Sequence, residues 1–263
     1  MVANTETVIE RYELKYRLPP AVAPLVRAAV LPYCRLDSAS ARGPYLISSL
    51  YLDTPDHEFY YQTRTEAARR FKLRIRRYVT GPFFIECKRR IKDVISKSRV
   101  PVPQESWRDV LLGPDPTRWV KNDRDRANLL DFQRRLHLTR AAPSVVVRYA
   151  REAFVSEVDD YARVTFDQQL CGRQANGWQV PMHEPGWLPI DSPARFGLPY
   201  SGVILELKCT TSVPLWMSDI VRRFNLLRTG FSKFCSTVEA TLPDMRAPFE
   251  LREPTRWVTA RQP

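Results

Sequence analysis

Basic and apolar residues alternate in the run Lys72-Leu73-Arg74-Ile75-Arg76, and this spacing is the first indication of chemistry in the sequence. If the run is a strand, its even-numbered side chains share one face, because strand side chains alternate with period two. Similar spacing recurs in Glu86-Cys87-Lys88, Lys97-Ser98-Arg99, Arg163-Val164-Thr165-Phe166-Asp167 and Glu206-Leu207-Lys208. A charged face cannot form an ordinary core, so it must meet water in a cavity or an anionic ligand rich in oxygen. Phosphate is the obvious candidate.

Cations outnumber carboxylates on the strand faces that we expect to point inward. The basic positions are Arg11, Lys15, Lys72, Arg74, Arg76, Lys88, Lys97, Arg99, Arg148, Arg163 and Lys208. The acidic positions are Glu13, Glu86, Asp167 and Glu206. Ion pairing within the set therefore leaves an excess of positive charge. The planar guanidinium fork matches two phosphate oxygens, while lysine supplies a compact point charge. Taken alone, the row of cations at Lys72, Arg74 and Arg76 is equally well explained as a solvated strand face paired with acidic neighbours. The recurrence of the same spacing on other strands favours a bound anion.

The carboxylates need a separate explanation, because an acid among phosphate-binding cations repels the ligand unless a divalent cation bridges the two. Carboxylate together with substrate phosphate oxygens is the usual way in which Mg²⁺ or Mn²⁺ is held in phosphoryl-transfer sites. Glu206 is the best candidate for a metal ligand, since it lies in an apolar run and precedes Lys208 by two residues. A plain salt bridge to Lys208 or to a nearby arginine is the alternative.

The elements that position these residues follow from the hydrophobic pattern. Strands are predicted at 8–18, 46–52, 71–79, 83–90, 95–102, 144–149, 153–158, 162–170 and 203–210. Helices are predicted at 21–32, 58–69, 104–112, 119–138, 216–227 and 233–242. This pattern predicts an α+β fold: an antiparallel β tunnel barrel of about eight strands, with helices packed outside and at the C-terminal end. Closure of such a barrel places alternate residues of every strand inside. We expect one domain at 5–242 and a loosely held tail at 243–263.

Composition limits the partners. The chain has 263 residues and a net charge of +12, which points to nucleic acid, an acidic membrane surface or phosphorylated small molecules. Its six tryptophans do not interleave with the basic strands, which argues against a stacking platform for single-stranded nucleic acid. No apolar run approaches the ~20 residues of a membrane span. We therefore expect a soluble, cytoplasmic protein with five reduced cysteines.

Other catalytic chemistries lack their motifs. His57, His137 and His183 are isolated, so a histidine metal site is not indicated. The chain contains no G-x-x-x-x-G-K-[ST], G-x-G-x-x-G or G-x-S-x-G sequence. Nucleotide binding by a glycine-rich loop is thereby excluded.

Nine short motifs, taken in order, resemble a known family. They are Glu13-Leu14-Lys15-Tyr16, Ser48-Ser49-Leu50-Tyr51-Leu52-Asp53, Lys72-Leu73-Arg74-Ile75-Arg76, Ile85-Glu86-Cys87-Lys88, Lys97-Ser98-Arg99, Val147-Arg148-Tyr149, Arg163-Val164-Thr165-Phe166-Asp167, Leu205-Glu206-Leu207-Lys208 and Phe231-Ser232-Lys233-Phe234. Together they resemble the VTC domain, the polyphosphate polymerase domain of the vacuolar transporter chaperone complex. That domain belongs to the triphosphate tunnel metalloenzyme, or CYTH-like, superfamily. The likeness runs from about Tyr12 to Glu239.

This resemblance implies a basic tunnel that transfers the γ-phosphoryl group of ATP to a growing inorganic polyphosphate chain with Mn²⁺ or Mg²⁺. The implied catalytic residues are Arg74, Arg76, Lys88, Arg148, Arg163 and Lys233. The implied substrate-binding residues are Lys15, Lys97, Tyr149, Lys208 and Ser232, and the implied metal ligand is Glu206. The wider superfamily often begins with Glu-x-Glu-x-Lys, whereas here the first position is Arg11. That difference favours the VTC branch and weakens the case for two metal ligands on the first strand.

The partners that the resemblance implies are ATP, inorganic polyphosphate or pyrophosphate, and a membrane-protein partner that would recruit the chain to a membrane. Nucleic acid is not expected, and the oligomeric state is left open. Two alternatives share the same tunnel. One is a tripolyphosphate or nucleoside-triphosphate hydrolase, in which water replaces the phosphate acceptor. The other is a non-catalytic polyphosphate-binding module.

Overall fold

The computed structural model describes residues 11–92, 94–191, 202–210, 212–242 and Met245. Residues 5–10 of the predicted domain lie outside this set, as does the predicted tail at 243–263 apart from Met245. Within the described residues, no helix combines the length and the apolar character needed to cross a membrane.

Ten strands and six α-helices form within this part of the chain. The strands are β1 (Arg11–Leu18), β2 (Cys34–Leu36), β3 (Tyr45–Asp53), β4 (Arg69–Tyr78), β5 (Phe83–Ile91), β6 (Val94–Val102), β7 (Ala142–Ser156), β8 (Ala162–Gln174), β9 (Leu188–Pro189) and β10 (Val203–Thr210). The helices are α1 (Ala23–Val30), α2 (Glu58–Arg64), α3 (Trp107–Leu112), α4 (Asp123–Thr139), α5 (Leu215–Arg223) and α6 (Lys233–Thr241).

Local signals explain where several elements begin and end. The side chain of Asn122 accepts a hydrogen bond from the N–H of Asp125 and so caps the start of α4. The helix ends at Thr139, and its C-cap residue, Arg140, lies in the left-handed region at φ 52°. The hydroxyl of Ser232 caps α6 in the same way by accepting the N–H of Cys235. These caps satisfy backbone groups that a helix end leaves without partners.

All strand pairs are antiparallel, and the sheet has the order β1-β10-β8-β7-β3-β4-β5-β6, with β2 added beside β7 and β9 beside β8. Glu13 on β1 nevertheless lies 2.8 Å from Lys88 on β5, measured between the carboxylate oxygen and the ammonium nitrogen. These two strands are six steps apart, which is roughly 30 Å in a flat sheet. The sheet therefore curls until its two ends face each other, and the predicted tunnel is confirmed.

The two faces of the sheet differ as the alternation predicts. On β4, Leu73 and Ile75 are fully buried in the outer apolar core, while Arg74 and Arg76 point to the opposite, inner face. Helix α4 packs outside β5 and β6, and a second apolar cluster lies beneath α1 and α5. Each buried leucine or isoleucine contributes about 1.5–3 kcal/mol. This outer core holds the charged inner face in place.

Helix α6 packs against the inner face. The ring of Phe234 stacks on Tyr51 of β3 at 5.1 Å, and the helix also contacts β7 and β8. A Cβ atom added to Gly172 of β8 would meet the side chain of Thr237 at 2.4 Å. Glycine at position 172 therefore allows α6 to approach the sheet, and this approach brings the start of the helix, at Lys233, into the tunnel.

Candidate active site

Charged side chains from strands along the whole sheet meet on the inner face. They form two clusters, each centred on a buried carboxylate, and a third carboxylate links the two. We refer to them as the Glu86 cluster and the Glu206 cluster.

The Glu86 cluster comprises Glu86 on β5, Arg74 and Arg76 on β4, and Lys97 and Arg99 on β6. The carboxylate is only 1% exposed. Its oxygens lie 2.6 Å from Nε of Arg74, 2.8 Å from Nζ of Lys97, 3.4 Å from Nε of Arg99 and 3.8 Å from Nε of Arg76. Burial opposes its ionisation, but these cations, Arg74 foremost, hold the pKa of Glu86 well below its usual range. Glu86 is therefore an anion that four cations share.

Lys97 responds both to burial and to the positive potential around this carboxylate. Burial, and after it the charge of Arg74, lowers the pKa of Lys97 to about 7 even though Glu86 opposes the shift. Tyr51 responds to the same potential. Its hydroxyl accepts a 2.9 Å hydrogen bond from Arg74, and, against the effect of burial, Arg74 and Arg76 lower the pKa of Tyr51 to about 8. The cluster has a surplus of positive charge that an anionic ligand would neutralise.

The Glu206 cluster joins β1, β7, β8, β10 and α6. Glu206 as a whole residue is 4% exposed. Its carboxylate lies 2.7 Å from Lys208, 3.1 Å from Arg151, 3.2 Å from Lys233 and 3.8 Å from Lys15, measured to the cationic nitrogen in each case. Burial again opposes ionisation, and Lys208 and Lys233 lead the cations that hold the pKa of Glu206 well below its usual range.

Asp167 belongs to the same cluster. It is completely buried and accepts two hydrogen bonds from Arg151, at 2.6 and 2.7 Å, while Lys233 lies 2.6 Å away. A bidentate pair of this kind fixes the plane of the guanidinium group. Burial raises the pKa of Asp167, but the charges of Arg151 and Lys233 outweigh it and lower the pKa.

Glu13 connects the two ends of the sheet. Its carboxylate lies 3.2 Å from Lys15 on its own strand and 2.8 Å from Lys88 on β5. Burial raises the pKa of Glu13, but the charges of Lys15, Lys88 and Lys208 outweigh it and hold the pKa low. All four inner-face carboxylates are therefore ionised counter-anions at neutral pH.

The donor set fits a divalent cation that protein and substrate hold jointly. Within the described residues, no three acidic, histidine or cysteine side chains converge to form a complete metal cage. Glu206 and Asp167 do share Arg151 and Lys233 as partners, so two carboxylates lie near one another on the inner face. One or two carboxylates plus phosphate oxygens and water is the usual coordination of Mg²⁺ in such sites.

Most of the residues implied by the resemblance meet on the inner face. These are Lys15, Arg74, Arg76, Lys88, Lys97, Tyr149, Lys208, Lys233, Ser232 and Glu206. Ser232 accepts a hydrogen bond from Lys72, at 3.3 Å, and the hydroxyl of Tyr149 accepts one from Arg76, also at 3.3 Å. Arg163 shares a strand face with Thr165 and Asp167, but its guanidinium group pairs with Asp37.

Arg148 is not among them. Its guanidinium group donates a 2.7 Å hydrogen bond to the carbonyl oxygen of Met182 and lies 4.4 Å above the ring of Trp187, on the outer face. The reason is the strand alternation itself: Tyr149 points inward, so its neighbour Arg148 must point outward. The cation that β7 contributes to the inner face is Arg151, two residues after Tyr149.

Sequence reasoning did not identify Arg151. The predicted strands ended at residue 149 and resumed at 153, whereas β7 runs without a break from Ala142 to Ser156. Period-two counting from Tyr149 would have found Arg151. Tyr51, which binds Arg74, lies within one of the nine motifs, and a tyrosine is common in any strand, so its residue type alone does not indicate a role in the site.

Comparison with known proteins supports these observations. A family model described as the VTC domain matches residues 10–242. A search of curated protein sequences finds no match.

Solved structures that match most of this chain's length share little sequence with it. The putative adenylyl cyclase HpAC1 from Hippeastrum, described as revealing a dominant triphosphatase activity, is 15% identical; the match covers 89% of this chain and 97% of that chain with a TM-score of 0.45. A putative adenylate cyclase from Vibrio parahaemolyticus is 14% identical over 85% and 95% of the two chains, with a TM-score of 0.43. The PH1819 protein from Pyrococcus horikoshii OT3 is 11% identical over 87% and 96%, with a TM-score of 0.42.

Proposed function

Since the chain belongs to the VTC-domain family, we propose that it is a polyphosphate polymerase, which transfers the γ-phosphoryl group of ATP to the end of an inorganic polyphosphate chain. Family membership indicates an enzyme that acts on triphosphates or polyphosphate, and the polymerase reaction is the specific proposal. The observation that carries it is the convergence of cations from both ends of the sheet and from α6 on one curled inner face.

The inner-face cations have distinct places in this proposal. Arg74, Arg76, Lys88 and Lys233 bind the phosphates that react, because they lie between or within the two clusters. Arg151 takes the place on β7 that the resemblance implied for Arg148. Arg163 remains a proposed catalytic residue at the edge of the same face. The proposed substrate-binding residues are Lys15, Lys97, Tyr149, Lys208 and Ser232.

The reaction needs no strong general base. The bond between the β,γ-bridging oxygen and the γ-phosphorus breaks, ADP leaves with the bonding electron pair, and a terminal oxygen of polyphosphate forms the new bond to phosphorus. That oxygen is already charged, so no proton has to be removed from it. The low pKa values of Glu13, Glu86 and Glu206 suit this reaction, because carboxylates of that kind are poor proton acceptors and serve as counter-anions instead.

Catalysis by the protein then consists of alignment and charge neutralisation. Guanidinium groups held by Glu86 and Asp167 have fixed planes, so they bind phosphate oxygens with little loss of freedom. Glu206, with Asp167 beside it, would hold the Mn²⁺ or Mg²⁺ ion. When bound, that ion would supply further neutralisation of the phosphate oxygens.

Product analysis tests the proposal. Purified protein incubated with ATP and Mn²⁺ should produce long phosphate chains on a gel, with one ADP released for each phosphate incorporated. Release of orthophosphate without chains would support the hydrolase instead. Binding of polyphosphate without turnover would support a non-catalytic module.

Two variants make the test specific. Lys233→Met removes one of the two cations that contact both Asp167 and Glu206, the other being Arg151, and chain synthesis should be lost. Arg222→Gln removes an exposed cation on α5, which pairs with the exposed Asp219 nearby, and synthesis should be unchanged. Equal effects of the two substitutions would show that overall charge, not the tunnel, supports the reaction.

A further inference from the structure

In the transfer reaction proposed above, Glu86 serves only as a counter-anion that holds a guanidinium group in place, yet it is the most highly coordinated carboxylate on its side of the tunnel. It is 1% exposed, and the cations around it come from both neighbouring strands, β4 and β6. Each of its oxygens faces two of them: Arg74 and Arg76 on one side, Lys97 and Arg99 on the other. An outer-face salt bridge would stabilise the sheet equally well, so the position of this one inside the tunnel calls for an explanation.

The geometry of the cluster is that of a phosphate site with a carboxylate in it. Three guanidinium groups and an ammonium group directed at a pair of oxygens are the donors that a phosphate group of a chain would use. A phosphate that enters must therefore share these donors with Glu86. The carboxylate also lowers the charge of the cluster, since four cations and one anion leave +3 instead of +4.

The carboxylate has a second effect when the tunnel is empty. The four cations repel one another, and without an anion among them they would turn toward solvent. After burial, the charges of Arg74 and Arg76 also lower the pKa of Lys97, so this repulsion acts even with Glu86 in place. Glu86 therefore fixes the cations in the arrangement that a ligand needs.

We propose that Glu86 is a positioning residue that limits affinity: an internal counter-anion that orients the four cations and competes with phosphate for them, so that a polyphosphate chain can move along the tunnel between transfers. The part of this inference that concerns chain movement rests on the proposed polymerase function. The part that concerns affinity does not.

The test is the affinity of Glu86→Gln for tripolyphosphate, measured by titration calorimetry at pH 6 and low salt, with EDTA present and no nucleotide. Glutamine keeps the shape of the side chain and removes its charge. We expect the Kd to fall by about tenfold. The control is Glu157→Gln, which makes the same charge change at an exposed position paired with Arg35 and should leave the Kd unchanged. An unchanged or higher Kd for Glu86→Gln would overturn the inference.

Steady-state kinetics provide the readout that a merely structural role would not change. In Glu86→Gln we expect both kcat and the KM for the polyphosphate chain to fall, because the chain binds more tightly and leaves more slowly. A fall in kcat with an unchanged or higher KM would contradict the proposal. If Glu86→Gln does not fold, Glu86→Asp replaces it: the shorter side chain draws the charge back from Arg74, and the Kd should still fall by at least about twofold. An equal or weaker affinity would overturn the inference.

The two proposals fail separately. Tighter binding by Glu86→Gln in a protein that makes no polyphosphate would refute the polymerase and leave the affinity-limiting role standing. Chain synthesis by the unmodified protein, together with unchanged binding by Glu86→Gln, would refute only the role of Glu86.

Discussion

Protonation of Lys97 should make the binding of phosphate chains depend on pH near neutrality. Its ammonium group lies 2.8 Å from Glu86, and its pKa is lowered from 10.5 to about 7, first by burial and then by Arg74. The charged groups that face it are Arg74 and Arg76 on β4, Glu86 and Lys88 on β5, and Arg99 on β6. Because the pKa is lowered, the positive charge is present below pH 7 and is lost as the pH rises above it.

The size of the effect follows from this value. The protonated fraction of Lys97 falls from about 0.9 at pH 6 to about 0.1 at pH 8. If a bound phosphate keeps the lysine charged, the apparent Kd of tripolyphosphate rises by about tenfold over that range. Binding at pH 8 must also take up a proton, which calorimetry in two buffers of different ionisation enthalpy detects.

The matched control is Lys97→Arg, whose guanidinium group stays charged throughout. Tripolyphosphate itself, Lys72 and Tyr51 also titrate in or near this range, since the pKa values of the two residues are about 8. They titrate both in the unmodified protein and in Lys97→Arg. The ratio of the Kd values of these two proteins therefore isolates the contribution of Lys97. A ratio that stays constant from pH 6 to pH 8 would refute the reasoning.

Three further outcomes are expected. Glu206→Gln should lower Mn²⁺-dependent ADP release by about a hundredfold or more without weakening metal-free tripolyphosphate binding, because it removes a counter-anion and no cation; equal loss of both would argue against a metal role. Leu73→Ala, in the outer core, should lower the free energy of unfolding in urea by about 2–5 kcal/mol, and a change below about 1 kcal/mol would mean that the site is loosely packed. Gly172→Ala should lower both Tm and turnover, because its Cβ would push Thr237 and thus Lys233 out of place; normal turnover would show that α6 need not pack so closely.

Strand periodicity alone predicted much of the inner face. The strand predicted at 203–210 is β10 as observed, and the alternation correctly placed Glu206 and Lys208 on one face and Leu205 and Leu207 on the other. The alternation on β4 was equally reliable. These strands have apolar residues at every second position, so burial of one face fixes the orientation of the other.

Other features depend on long-range contacts that no local pattern encodes. β7 continues through Arg151 because it pairs with β3 and β8 on both sides, although Arg151 and Glu152 interrupt its apolar run. Helix α6 packs on the inner face because Gly172, some sixty residues earlier in the chain, leaves room for Thr237. The contact between Glu13 and Lys88 likewise results from the curl of the whole sheet. The residue types were therefore visible in the sequence, while their partners were not.

The central claim is that the inner face, and not the basic exterior, binds the phosphate chain. Tripolyphosphate binding by Arg74→Gln and by Arg148→Gln tests this directly, since one guanidinium group lies inside the tunnel and the other on the outer face. Loss of a charge-assisted hydrogen bond should raise the Kd of the Arg74 variant by about ten- to a hundredfold, with less than a twofold change for the Arg148 variant. Equal losses, or a larger loss for Arg148→Gln, would contradict the account.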